Sequence, residues 1–184
     1  VASSFQLYQE LGLRGEVNFP AFKQALKGFS RYASGQDRLL VLIDYTKPST
    51  EKRFYILDLL QKKLLLSTYV AHGRGSGDNY AVAFSNRPGS YQSSLGFFRT
   101  GDTYMGKNGY SLFLDGLEKG INDKARERAI VVHGANYADP AVLKGQQRLG
   151  RSLGCPALPP DISKQVIDTS KGGVLLYIYV LNTA

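Results

Sequence analysis

The chain has 184 residues, 43% of them hydrophobic, enough for one sizeable core and too few for several domains. It contains no run near the roughly 20 apolar residues that cross a bilayer as a helix, and its single cysteine excludes an internal disulfide. A formal net charge of +8 favours polyanions such as nucleic acid, anionic lipid or acidic wall polymer. The basic residues are dispersed, however, and no five-residue basic run or RNA-recognition motif appears, so no nucleic-acid partner is expected.

The first thirty-odd residues read as helical. Ser4 is placed to cap a short helix carrying Leu7, Tyr8 and Leu11 and stopped at Gly12. Asn18-Phe19-Pro20 opens a second helix, whose Phe22, Ala25, Leu26, Phe29 and Tyr32 recur at three-and-four spacing on one face. After Ser34-Gly35-Gln36-Asp37 the pattern changes to strands at 38–45, 53–60 and 64–71, the last two forming a hairpin. A loop-rich stretch follows, with Gly73, Gly75, Gly77, Pro88 and Gly89. Further strands are expected at 96–100, 111–114 and 129–133. Pro159-Pro160-Asp161 then starts a helix to about Thr169, and Gly172-Gly173 leads into a closing strand at 174–181. Many short strands and few helices predict a mainly β fold, an antiparallel or mixed sandwich or barrel with peripheral helices. Residues 1–36 form an N-terminal helical segment packed on a main domain, 37–184.

The chemistry concentrates on Cys155, in Arg151-Ser152-Leu153-Gly154-Cys155-Pro156, 22 positions after His133 in Val131-Val132-His133-Gly134. A thiol with an imidazole base is a sufficient pair for nucleophilic catalysis; a lone cysteine is otherwise a small buried hydrophobe. Glycine and prolines around Cys155 make its segment a loop, and His133 closes an apolar run whose strand would release it into a cleft. A free thiol with a pKa of about 8.5 needs an imidazolium or other cation nearby to ionise at neutral pH. Gly154 permits a sharp turn that aims N–H groups at an oxyanion, while Pro156 has no N–H to offer.

His72, in Val70-Ala71-His72-Gly73, repeats the strand-histidine-glycine arrangement of His133. It either lines the same cleft or closes a turn structurally. His72, His133 and Cys155 lack the short spacings of a zinc site, so no metal is expected. Gly73-Arg74-Gly75-Ser76-Gly77 lacks the Gly-Lys-Ser/Thr ending of a phosphate loop and reads as a turn or a flexible active-site loop. Asp115 and Glu118 read as solvated acids.

His133-Gly134 followed by Ser152-Leu153-Gly154-Cys155 resembles the catalytic signature of the murein L,D-transpeptidases. The Pro156-Ala157 that follows, Ala71-His72-Gly73 and Pro88-Gly89-Ser90-Tyr91-Gln92-Ser93 resemble the branch described as murein L,D-transpeptidase catalytic-domain proteins. The resemblance runs from about Arg38 to Leu181. It implies a β-sandwich or barrel-like domain in which Cys155 is the nucleophile, His133 the base, Gly154 and the Cys155 N–H the oxyanion site, and Ser152 a supporting residue. His72, Arg151, Tyr137 and Ser93 are the residues expected at the substrate cleft, with Arg74, Arg99 and Lys107 as further candidates for stem carboxylates. The implied reaction is thioester formation on a peptidoglycan stem peptide, resolved by an amine to give a cross-link or by water in an L,D-carboxypeptidase. A non-catalytic wall-binding module is the competing class.

The family's commonest motif has His where this chain has Leu153 and Arg where it has Ala157. The partner that orients His133 is therefore open between a backbone carbonyl and other groups, with Arg148 or Arg151 as sources of positive charge. The resemblance further implies an exported, periplasmic or envelope location, no cofactor and a monomer. The chain begins at Val1 without a basic-then-apolar leader, which fits either a removed signal or a late start.

Overall fold

The computed structural model describes residues 3–35 and 37–181. Gln36, at the expected boundary between the two segments, lies outside the described residues, as do residues 1, 2 and 182–184. Eight strands form one mixed sheet: β1 (Leu39–Asp44), β2 (Phe54–Asp58), β3 (Lys63–Thr68), β4 (Gly96–Gly106), β5 (Gly109–Gly116), β6 (Val131–Gly134), β7 (Ala157–Leu158) and β8 (Leu175–Tyr179). Their order is β3-β2-β1-β8-β4-β5-β6-β7, with β1/β8 and β6/β7 parallel and the rest antiparallel. The chain leaving β3 returns to the opposite edge: Ala71 and Ala157 exchange N–H···O bonds of 2.8 and 3.2 Å. The sheet is thereby nearly closed, as the many short strands predict.

Alternation on the strands separates two cores. Val41, Ile43, Ile56, Leu176 and Ile178 face one cluster, which α3 (Pro160–Ser170) seals with Val166 and Ile167. Leu40, Leu42, Tyr55, Leu57 and Leu175 face the other, covered by α1 (Ser4–Glu10) and α2 (Phe19–Tyr32). The predicted stripe of α2 is the packed one: Phe22 and Ala25 are buried, and Leu26, Phe29 and Tyr32 are partly buried against the sheet. Emptying such a site, as in Phe22→Ala, costs about 3–5 kcal/mol.

Three details differ from the sequence reading. Ser3, not Ser4, caps α1, its hydroxyl accepting from the Gln6 N–H. The segment 96–116 is one long hairpin with a register shift between Thr100 and Thr103; Gly101-Asp102 breaks the periodicity there. Finally, β7 is only two residues long, set between Pro156 and Pro159, and holds its place by pairing with β6.

Candidate active site

Cys155 sits at the end of a tight turn that Ser152 closes. The Ser152 hydroxyl donates to the Cys155 carbonyl at 2.6 Å and accepts from the Gly154 N–H at 3.1 Å. Gly154 has φ +128°, and a Cβ there would lie 2.9 Å from Ile130 Cδ1 and 3.1 Å from the Gln92 carbonyl, so glycine is required both for conformation and for space. The Gly154 N–H is spent on Ser152, whereas the Cys155 N–H has no acceptor among the described residues.

The turn is templated by the strand-like segment 70–74. Ser152 N–H donates to the His72 carbonyl at 3.0 Å and Arg74 N–H to the Ser152 carbonyl at 2.8 Å. Arg53, fully buried, donates through Nε to the Val70 carbonyl at 3.0 Å, through Nη1 to the Lys47 carbonyl at 3.0 Å and through Nη2 to His72 Nδ1 at 2.9 Å. An arginine only donates, so His72 Nδ1 is the acceptor and Nε2 carries the proton toward the Gly77 carbonyl, 3.3 Å away. Both ring nitrogens are thus committed within the fold. Burial, reinforced by Arg53, lowers the His72 pKa to about 4.

The sulfur lies against the start of β6, accepting from the Val131 N–H at 3.4 Å and donating to the Ala129 carbonyl at 3.4 Å. His133 stands two residues further along the same strand. Its N–H donates to the Pro156 carbonyl at 3.4 Å, and it pairs with Ala157. Val132 points into the core, so alternation puts Val131 and His133 on the other face, with side chains about 7 Å apart. His133 Nδ1 lies 2.8 Å from the Gly134 carbonyl. A carbonyl only accepts, so Nδ1 holds the proton and Nε2 presents its lone pair. Nε2 has no hydrogen-bond partner among the described residues. The orienting partner of His133 is a backbone carbonyl.

Electrostatically the pair rests neutral. Cys155 is 8% exposed, and burial raises its thiol pKa against the opposing pull of the Val131 N–H, Arg128 and Lys107. Burial likewise lowers the His133 pKa, opposed by its bond to Gly134. An ionised thiolate at neutral pH, the expectation from the sequence, is not the resting state; desolvation outweighs the cations.

Across the turn lies the loop 85–94. Arg128 fastens it, Nη1 donating to the Ser85 carbonyl (2.8 Å) and Ser94 Oγ (2.7 Å), Nη2 to the Gln92 carbonyl (2.7 Å) and Ser90 Oγ (3.2 Å). Tyr91 in this loop has φ +56°, and Arg74 stacks on its ring at 4.5 Å. Ser93 is buried as a tie: its Oγ accepts from Gly73 N–H at 2.9 Å and its N–H donates to Ser76 Oγ at 2.8 Å.

The remaining candidates divide by place. Tyr137 is near enough to Cys155 for the sulfur to add to the burial that pushes its pKa up to about 12. Arg151 donates to the Gly77 carbonyl at 3.2 Å and lies 4.0 Å from Asp78, to which Arg148 also binds. The guanidinium that acts on Cys155 is instead Arg128, which sequence reading missed. Arg99 is far from the site, tying the Tyr32 and Gly173 carbonyls together. Lys107 lines a pocket of about 340 Å³ with Gly134, Asn136 and Ser163, next to His133. Leu153 is 53% exposed, and Asp115 is paired with Arg126 at 2.7 Å. No group of three metal-binding side chains occurs among the described residues.

The sequence profile of the L,D-transpeptidase catalytic domain matches residues 13–179. The chain belongs to that family. The match begins between the two helices, so it takes in α2, ahead of the start near Arg38 expected from the motifs, and leaves α1 outside. Among solved structures, a point mutant of the helical cell shape determining protein Pgp2 from Campylobacter jejuni is 18% identical with a TM-score of 0.51, covering 80% of this chain and 49% of that one. An L,D-transpeptidase from Mycobacterium smegmatis is 13% identical with a TM-score of 0.47, covering 78% and 59%. Another from Stackebrandtia nassauensis is 13% identical with a TM-score of 0.47, covering 98% and 77%. At these identities the likeness is one of fold, and this L,D-transpeptidase domain spans 49–59% of the first two. The curated proteins contain no match.

Proposed function

We propose that this domain is an exported peptidoglycan L,D-transpeptidase in which Cys155 forms a thioester with a stem peptide. The observation that carries the reading is the tautomer of His133: the Gly134 carbonyl holds the proton on Nδ1, leaving Nε2 as a free base on the strand that also supports the sulfur. Substrate entry displaces part of the 85–94 loop. His133 Nε2 then takes the thiol proton as sulfur bonds to the L,D-peptide carbonyl carbon, and the Cys155 N–H supports the oxyanion. Collapse breaks the C–N bond, His133 returns the proton to the departing D-amino acid amine, and a thioester remains. An amine of a second stem, deprotonated by the same nitrogen, attacks the thioester to give the cross-link and regenerate the thiol; water in its place gives carboxypeptidase activity.

A neutral pair suits this sequence, because proton transfer accompanies attack and no buried ion pair has to be maintained beforehand. The buried thiol under a fastened loop also favours a second reading, a wall-binding module without turnover. Intact-mass measurement after mixing with a carbapenem separates the two. The catalytic reading expects the full mass of the β-lactam added to wild type and nothing on Cys155→Ala. An unmodified wild type that still binds isolated peptidoglycan leaves only the binding module.

A further inference from the structure

We propose that the face formed by α2 and residues 80–82 docks on an anionic lipid surface. Lys23, Lys27 and Arg31 recur every four residues and are all exposed, forming one cationic row along α2. That helix has no acidic residue, and none of the three has a carboxylate partner among the described residues. Like charges at this spacing cost a helix a few tenths of a kcal/mol per pair, so the row does not serve the helix itself. It suits an anionic partner outside the chain.

Apolar chemistry stands beside it. Lys27 and Arg31 form one wall of a groove of about 990 Å³ with Phe97 and Tyr177 among its lining, and Val82 and Leu181, 76% and 66% exposed, line it too. Tyr80 and Ile121, also exposed, belong to the same lining. Among the described residues the groove's one carboxylate, Glu118, accepts from the Phe97 N–H at 2.7 Å. Exposed aliphatic side chains beside unpaired cations match the two layers of a membrane interface: head-group anions meet Lys27 and Arg31, while Val82 and Leu181 reach the acyl boundary and the groove takes a lipid chain. The exposed aliphatic tips of Val82 and Leu181 would add little to binding of a glycan or a nucleic acid, whereas they match the acyl boundary of a bilayer. The surface is separate from Cys155, so Cys155→Ala protein serves equally for the test.

Co-sedimentation with phosphatidylcholine vesicles, with and without phosphatidylglycerol, tests the proposal. Binding is expected only to the anionic vesicles and to weaken with salt. Lys27→Gln/Arg31→Gln should weaken it about 25-fold, at about fivefold per basic residue near such a surface, whereas Lys144→Gln/Lys164→Gln, the same charge change off this face, should weaken it far less. Val82→Ser/Leu181→Ser should cost about tenfold. These positions are exposed, and unchanged circular dichroism checks the fold. Equal loss in both charge pairs, no effect of the aliphatic pair, or equal binding to neutral vesicles overturns the proposal. So does full competition by an apolar acidic peptide, which would identify the groove as a protein-docking site.

Discussion

His72 gives the sharpest test of the electrostatics around the turn. Its folded pKa, about 4, lies below the value of about 6.5 in an unfolded chain. Between those values the unfolded chain binds a proton that the folded one refuses, so stability is fully present above pH 6.5 and falls as the pH drops toward 4. Linkage puts the loss at about 2 kcal/mol by pH 5 and about 3 kcal/mol by pH 4. The comparison is His72→Asn, whose side-chain carbonyl can still accept from Arg53 while nothing at the position titrates. Urea unfolding of both proteins from pH 7.5 to 5 cancels the carboxylates common to both. The stability advantage of wild type should shrink by about 2 kcal/mol over that range. A constant difference would mean that His72 is protonated as readily in the fold as out of it, that Arg53 does not donate to it, and that its ring is free for substrate.

Four further outcomes follow from the geometry. Iodoacetamide should alkylate Cys155 more slowly than free cysteine at pH 7, with a rate still rising beyond pH 8.5, because the thiol pKa is raised; a plateau reached by pH 7 contradicts this. Arg128→Gln should free the 85–94 loop, seen as severalfold faster alkylation and faster proteolytic cleavage within it; unchanged rates would show that the loop is held elsewhere. Ser152→Ala leaves the Gly154 N–H without its acceptor and should cost about 1–3 kcal/mol in urea unfolding, together with slower carbapenem acylation. Gly154→Ala, forced into φ +128° and against Ile130, should cost at least about 2 kcal/mol and abolish acylation.

The sequence shows the outline of this site far better than its state of charge. Cys155 and His133 stand out because each is rare, because glycine and proline punctuate their surroundings, and because an apolar run must release its histidine at an edge; those are local signals. The stripe on α2 is legible for the same reason, since periodicity in a short window fixes which face is buried. The two-residue β7 leaves no such trace: its pairing with β6 and with Ala71 is decided by segments 24 and 86 residues away. Arg53 and Arg128 are equally silent, because their partners are mostly main-chain carbonyls, and every residue has one of those.

The thiol's ionisation belongs to this second class. Motif reasoning supplies a base and a cation and so favours a thiolate, yet the sign of the shift is set by how much water the fold removes from Cys155. That quantity exists only once the chain has folded, with the sulfur set against the start of β6 and the 85–94 loop held beside the Gly154 turn by Arg128. In this conformation the sulfur is a buried thiol whose pKa burial raises, while Arg128 and Lys107 already pull it the other way; readmitted water would relieve the larger of the two opposing effects. A substitution that loosens the 85–94 loop without touching Cys155 or His133 should therefore alter the thiol's pH profile as well as its accessibility, and an unchanged profile would show that the loop does not control the sulfur's burial.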